Sequence, residues 1–200
     1  MSLLRTGTAI ALAAALAGCS LGGLLGGGGK PPVTLVTLTP EAPAPAQMVR
    51  TAAAGQSVTI ETPSVPRELT FVRVPVQLTP TNVQYVTNLQ LVDTPNRLFQ
   101  GLLEETIRRT TNRVVLDPAQ STVDPGMTIG GQLQRFGFDA STGAAVVTYD
   151  ATMARASGAG VETRRFSASA PADGTAATVG PALNRAANQV SLEVARWIGG

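Results

Sequence analysis

Residues 127–168, MTIGGQLQRFGFDASTGAAVVTYDATMARASGAGVETRRFSA, decide the fold. Met127–Phe138 alternates apolar and polar positions loosely, with a phase change between Leu133 and Phe136. A β-bulge at that point reconciles the two halves. Asp139–Gly143 (DASTG) has the size of a hairpin loop. Ala145–Ala154 returns as a cleaner strand, with Val147, Tyr149, Ala151 and Met153 on one face. Ser157–Gly160 turns the chain again, and Val161–Ala168 supplies the third strand of a meander.

Helical periods flank this meander. Upstream, Thr94-Pro95 suits a helix start, with Thr as cap and Pro in the first turn. Leu98, Phe99, Leu102, Leu103 and Ile107 then define one apolar face. Glu104 and Glu105 precede Arg108 and Arg109 by one helical turn, which favours a solvated opposite face. Asn112 is a stop, and Val114–Leu116 reads as a short buried strand. Downstream, a second helix is expected from about Thr178 to Ile198, with Pro181 in its first turn. Leu183, Ala187, Val190, Val194, Trp197 and Ile198 form its stripe, and Asn184, Asn188 and Arg196 fall off it. That stripe is expected to pack on the sheet.

Shorter strands precede the first helix. Val33–Leu38 (VTLVTL) is bounded by prolines, and Glu41–Gln47 is a loop. Val58–Glu61 is a second strand. Leu69–Val76 alternates, but Pro75 interrupts it, which suggests an edge strand or a bend. Val83–Val86 is another short strand. The order is strands, helix, strand, meander, helix. That order predicts an α+β fold, with a mainly antiparallel sheet and two longer helices packed on one face. No internal repeat is visible.

The N-terminus predicts the compartment. Arg5 precedes the apolar run Ala9–Ala17, and small residues follow it. The run covers about 15 Å as a helix, roughly half of a membrane span. Residues 1–18 therefore read as an export signal. Leu16-Ala17-Gly18-Cys19 resembles the bacterial lipobox, in which the thiol takes a diacylglyceryl group and cleavage follows Gly18. Cys19 is the single cysteine of the chain, and it is the predicted lipid attachment site. Two or more acyl chains make a stable anchor, where one binds only marginally. Ser20 after the Cys is compatible with transfer to the outer membrane. The expected location is the periplasmic face of the outer membrane. Residues 19–32 are rich in Gly and Pro and read as a tether with a reach of about 20 Å. The folded domain is then 33–200.

Composition excludes several chemistries. The chain has no His, which removes His-based triads and His metal sites. One Cys makes neither an internal disulfide nor a Cys-cluster zinc site. Aromatics are 4%, too few for a base-stacking platform, and the net charge is only +2, so no nucleic-acid partner is expected. Lys30, the one lysine, lies in the tether, and no phosphate-binding loop follows a strand. No GxSxG elbow is present. Asp117, Asp124, Asp139 and Asp150 are expected in or near turns or on a strand's polar face, not as an acid–base pair. The pairs Arg108-Arg109 and Arg164-Arg165 have anionic head groups or plain solvent as alternatives. No catalytic, cofactor-binding or metal-ligating residue is expected. The only covalent group is the lipid on Cys19.

The whole layout resembles the ABC-type transport auxiliary lipoproteins, which include the paraquat-inducible protein C-like proteins. The resemblance is carried by the lipobox at Cys19, by VTLVTL after the tether and by SVTIETPSVPREL (Ser57–Leu69). It continues through NRLFQGLLEETIRRT (Asn96–Thr110), the hairpin around GQLQRFGFD and VVTYDATM, and the closing ANQVSLEVARWI. One departure is Leu91 or Val92, where many members have a Trp before the first helix. The resemblance implies a non-enzymatic auxiliary subunit, with an MCE-domain protein and an ABC permease and ATPase as partners. It implies movement of phospholipid or another hydrophobic molecule between inner and outer membranes. A homo-oligomer is compatible with a ring-shaped MCE partner, although no residue pattern encodes one. The alternative is an assembly or activator lipoprotein of another envelope machine, for lipopolysaccharide insertion or peptidoglycan synthesis.

Overall fold

The computed structural model describes residues 33–46, 49–120, 124, 126–155 and 160–199. The expected export signal (1–18), Cys19 and the expected tether (19–32) lie outside the described residues. The order is β1 (Thr34–Val36), β2 (Val58–Ile60), β3 (Arg73–Thr79), β4 (Asn82–Leu91) and α1 (Pro95–Thr110). Then follow β5 (Val115–Leu116), β6 (Met127–Asp139), β7 (Ala144–Arg155), β8 (Val161–Pro171) and α2 (Ala176–Gly199).

The meander β6–β7–β8 is the backbone of the fold, as the alternation predicts. β6 and β7 pair antiparallel from Met127↔Arg155 to Asp139↔Ala144, and β8 continues along the other edge of β7. The predicted bulge is present: the register shifts between Leu133 and Arg135. It lets Leu133 and Phe136 both point into the core. Gly131 sits just upstream with φ 130, where a Cβ would stand 2.0 Å from the Asp150 carbonyl oxygen. Only glycine permits that backbone and that approach.

The sheet is mixed, which corrects the expectation of a mainly antiparallel one. β1 with β4, β2 with β5, and both β2 and β3 with β6 are parallel. Antiparallel pairing is confined to β3–β4 and the meander. The cause is the long crossover from β2 and β3 through α1 and β5 to β6, which returns the chain in the same direction. One edge of β6 is shared. β2 pairs with it at Met127–Ile129, Ser64 bridges Gln132, and β3 takes over at Phe138–Asp139. β3 is therefore interior, not an edge strand. Pro75 is tolerated because the β3–β4 register shifts between Arg73 and Pro75, and pairing with β6 begins only at Val76. β4 is also longer than expected, reaching back to Asn82 and on to Leu91.

Both helices cover one face, as predicted. In α1, Phe99, Leu102, Leu103 and Ile107 are buried. Phe99 meets Tyr149 of β7 edge-on at 5.1 Å between ring centres. Thr94 holds the cap position and Pro95 the first turn, but the Thr94 hydroxyl does not cap the helix. The Asp93 carboxylate accepts the Thr94 N–H instead, at 2.6 Å. α2 begins at Ala176, before Thr178, so Pro181 falls within the helix rather than in its first turn. Leu183, Ala187, Val190, Val194 and Ile198 are buried against the sheet and α1. Each large aliphatic side chain so buried contributes about 1.5–3 kcal/mol. Trp197 is only partly buried. Its ring tilts against Phe166 at 5.5 Å, and its N–H donates to Glu162. Among the described residues, no helix is long and apolar enough to cross a membrane.

Candidate functional site

Thr39–Ala42 and Arg50, in the connection from β1 to β2, are tied to both helices and act as a strap. Its composition reads as loop, yet the helices hold it at several points. Asn184 Oδ1 accepts the Thr39 N–H at 2.8 Å, and its amide donates to the Glu41 carboxylate at 3.1 Å. Asn188 Oδ1 accepts the Glu41 N–H at 2.8 Å, and its amide donates to the Thr39 carbonyl at 2.9 Å. Asn188 is 7% exposed, so its amide is satisfied by the strap rather than by solvent. Arg109 donates to the Ala42 carbonyl at 2.9 Å, and Arg50 to the Arg108 carbonyl at 2.7 Å and Asn112 Oδ1 at 3.0 Å. The off-stripe asparagines of α2 are thus strap holders, a role sequence reasoning missed. Paired Asn at i and i+4 on the polar side of a helix was the available signal.

The face of the meander away from the helices is polar. Val147, Tyr149 and Ala151 point to the helices, so Thr148, Asp150 and Thr152 point away. Arg165 donates to both Asp150 carboxylate oxygens, at 2.6 and 2.7 Å, and Gln134 adds a third bond at 3.0 Å. The Arg165 hydrogen bonds hold the Asp150 carboxyl below its ordinary value. Thr148 and Ser167 share a hydrogen bond at 2.8 Å across the same pair of strands. This is a row of cross-strand polar pairs that tie β7 to β6 and β8.

The structure brings no pair of the predicted aspartates together for acid–base work. Asp117 accepts the Ala119 N–H, and Asp124 accepts the N–H groups of Gly55 and Ser57. Asp139 closes the β6–β7 turn through Ser141 and pairs with Arg135 at 2.9 Å. The arginine pairs are likewise divided. Arg108 and Arg109 bind Glu104 and Glu105 on their own helix, at 3.2 and 2.7 Å. Arg164 lies over the Phe166 ring, on the opposite side of β8 from Arg165. Neither pair forms a free basic patch. Tyr149 is buried, its hydroxyl donating to the Gly130 carbonyl at 2.5 Å, and burial pushes its ionisation above the usual tyrosine range. It is a core residue.

The clefts differ in size. The one at the β6 bulge, lined by Leu69, Pro75, Gln134 and Phe138, has about 30 Å³. That is room for water, far below the roughly 300–1,000 Å³ of small-molecule sites. A broader cleft of about 500 Å³ lies where both helices end, between Thr51–Ala53 and Thr110–Arg113. Arg113 donates there to the Ile198 carbonyl at 2.8 Å, placing a cation at the negative end of α2. Among the described residues, no group of three or more His, Cys, Asp or Glu converges to hold a metal ion.

Comparison with known proteins agrees with this geometry. The chain is similar in structure to protein XCC0632 from Xanthomonas campestris, a DUF330 protein, with TM-score 0.64 and 19% identity. That alignment covers 84% of this chain and 92% of the other. An uncharacterized protein aligns with TM-score 0.60 and 15% identity, over 75% of this chain and 96% of its own. At such identities the likeness shows the fold. No curated protein matches the chain. The family model described as ABC-type transport auxiliary lipoprotein component matches residues 37–195, from the end of β1 to the last turns of α2. With four-fifths of its length matched, the chain belongs to the ABC-type transport auxiliary lipoprotein component family, and its role is an auxiliary one in ABC-type transport.

Proposed function

We propose that the chain is a lipid-anchored, non-enzymatic subunit of an ABC transport system of the MCE type. In this reading Cys19 carries the lipid, and the tether 19–32 joins it to the domain that begins at Val33. The anchor holds the domain on the periplasmic face of the outer membrane. The cargo is phospholipid or another hydrophobic molecule, moved between the inner and outer membranes by an MCE-domain protein with an ABC permease and ATPase. The domain contributes binding and position, while ATP is used elsewhere. The observation that carries the reading is the family match over residues 37–195, behind a lipobox whose Cys19 is the chain's only cysteine.

Crosslinking in intact cells, followed by membrane purification of the chain, tests this function. The expected result is recovery of an MCE-domain protein crosslinked to residues of 33–200. Crosslinks only to lipopolysaccharide-insertion or peptidoglycan-synthesis proteins would replace the reading with the envelope-assembly alternative.

A further inference from the structure

The outer edge of the sheet is made by two stretches without charged residues. From Val74 to Val92 the sequence holds no Asp, Glu, Lys or Arg, and the same is true from Pro31 to Pro40. The first stretch makes most of the β3–β4 hairpin and the second contains β1. Apolar side chains stand exposed on this edge: Leu35 at 63%, Val33 at 44%, Val83 at 41% and Leu78 at 36%. β1 covers β4 only at Leu89–Leu91, so the outer edge of Asn82–Thr87 has no strand partner among the described residues. β1 runs parallel to β4. The start of β1 therefore lies on the side of the hairpin tip.

We propose that the uncharged tip of the β3–β4 hairpin, with the start of β1, rests in the interfacial layer of a phospholipid bilayer. This rests on the reading that Cys19 anchors the chain. Thirteen residues separate Cys19 from Val33, a reach of about 20 Å for a flexible tether. Confinement at that distance gives a high effective concentration of bilayer next to the hairpin, so a shallow apolar contact suffices. The polar fringe matches. Tyr85 stands two residues from Val83, about 7 Å along the strand, and the Arg73 guanidinium lies over its ring at 4.3 Å. A tyrosine with an arginine is suited to the head-group level, with Val83 and Leu78 below it. The contact ends at the next hairpin. There the Arg135–Asp139 ion pair shares a cleft with Leu78 and Pro80.

The test uses the full chain coupled through its one thiol, Cys19, to a maleimide-bearing phospholipid. The coupled chain is placed in nanodiscs of phosphatidylethanolamine with a minority of phosphatidylglycerol, and amide hydrogen exchange is followed. Exchange of residues 77–85 is expected to slow about tenfold relative to the uncoupled chain, while 139–146 and 163–170 are unchanged. The Leu78→Asp, Val83→Asp double variant loses the slowing, and its other peptides exchange as before. Equal exchange of 77–85 with and without the bilayer overturns the proposal. So does slowing that occurs without lipid and grows with protein concentration, which would assign the edge to a second copy of the chain. The coupling is chemical, so the outcome does not depend on processing in cells. An unmodified Cys19 in cells would instead count against the anchoring reading.

Discussion

Replacing Asn188 with alanine removes the strongest attachment of the strap to α2. Three hydrogen bonds go together: the Glu41 N–H to Oδ1, the amide to the Thr39 carbonyl, and the amide to the Asn184 carbonyl one turn back. The first two join separate parts of the chain. Each is worth about 0.5–1.5 kcal/mol net, so the cross-chain loss is about 1–3 kcal/mol. Alanine returns about half a kcal/mol as the better helix former. The balance is a loss of about 0.5–2.5 kcal/mol. For a domain of this size it lowers Tm by about 1–10 °C. The strap opens before the core does, so hydrogen exchange of residues 37–46 accelerates as well. Asn188→Asp is expected to be worse than alanine. It keeps the acceptor for Glu41 N–H but turns a carboxylate oxygen toward the Thr39 and Asn184 carbonyls. Thermal unfolding followed by circular dichroism, with exchange on the same samples, measures both effects. A Tm within about 1 °C of the parent and unchanged exchange of the strap would refute this account of the asparagines.

Other substitutions probe the sheet and the turns. Gly131→Ala places a Cβ 2.0 Å from the Asp150 carbonyl at φ 130; the β6–β7 ladder must separate there, and soluble yield and denaturant midpoint both fall sharply. A normal midpoint would contradict the assigned backbone. Asp139 is held down to about 2 by the Ser141 hydroxyl and then by Arg135, and Asp173 to about 2 by Thr178 and Thr175. Both values lie below those of the unfolded chain. Their contribution is complete above about pH 4 and is lost as pH falls toward about 2. Asp139→Asn with Asp173→Asn is expected to flatten the acid limb of a denaturant-midpoint profile, and an unchanged limb would contradict a stabilising role for these two carboxylates.

The parts of the fold written in local chemistry were legible. Thr94-Pro95 and the stripe from Leu98 to Ile107 placed α1, because capping position and helical period are both local. The phase change after Leu133 disclosed the bulge, because alternation has a period of two. The direction of β2 and β3 against β6 was not legible. A strand's side-chain pattern is the same in parallel and antiparallel pairing, and the choice is made by crossovers dozens of residues long. Pro75 misled for a related reason: a proline is excluded from an interior strand only where its missing N–H faces a ladder, and the register shift beside it removes that demand. The strap holders were hidden because Asn184 and Asn188 have partners some 145 positions away. The uncharged hairpin edge needed the topology that sets β1 beside β4, which no local pattern carries.

The most direct test of the lipid-anchored auxiliary role is mass spectrometry of the mature N-terminal peptide from cell membranes. The expected product begins at Cys19 and carries a diacylglyceryl or triacyl modification, with the chain recovered in the outer-membrane fraction. A chain that keeps residues 1–18, or one that begins elsewhere with Cys19 unmodified, would contradict the account.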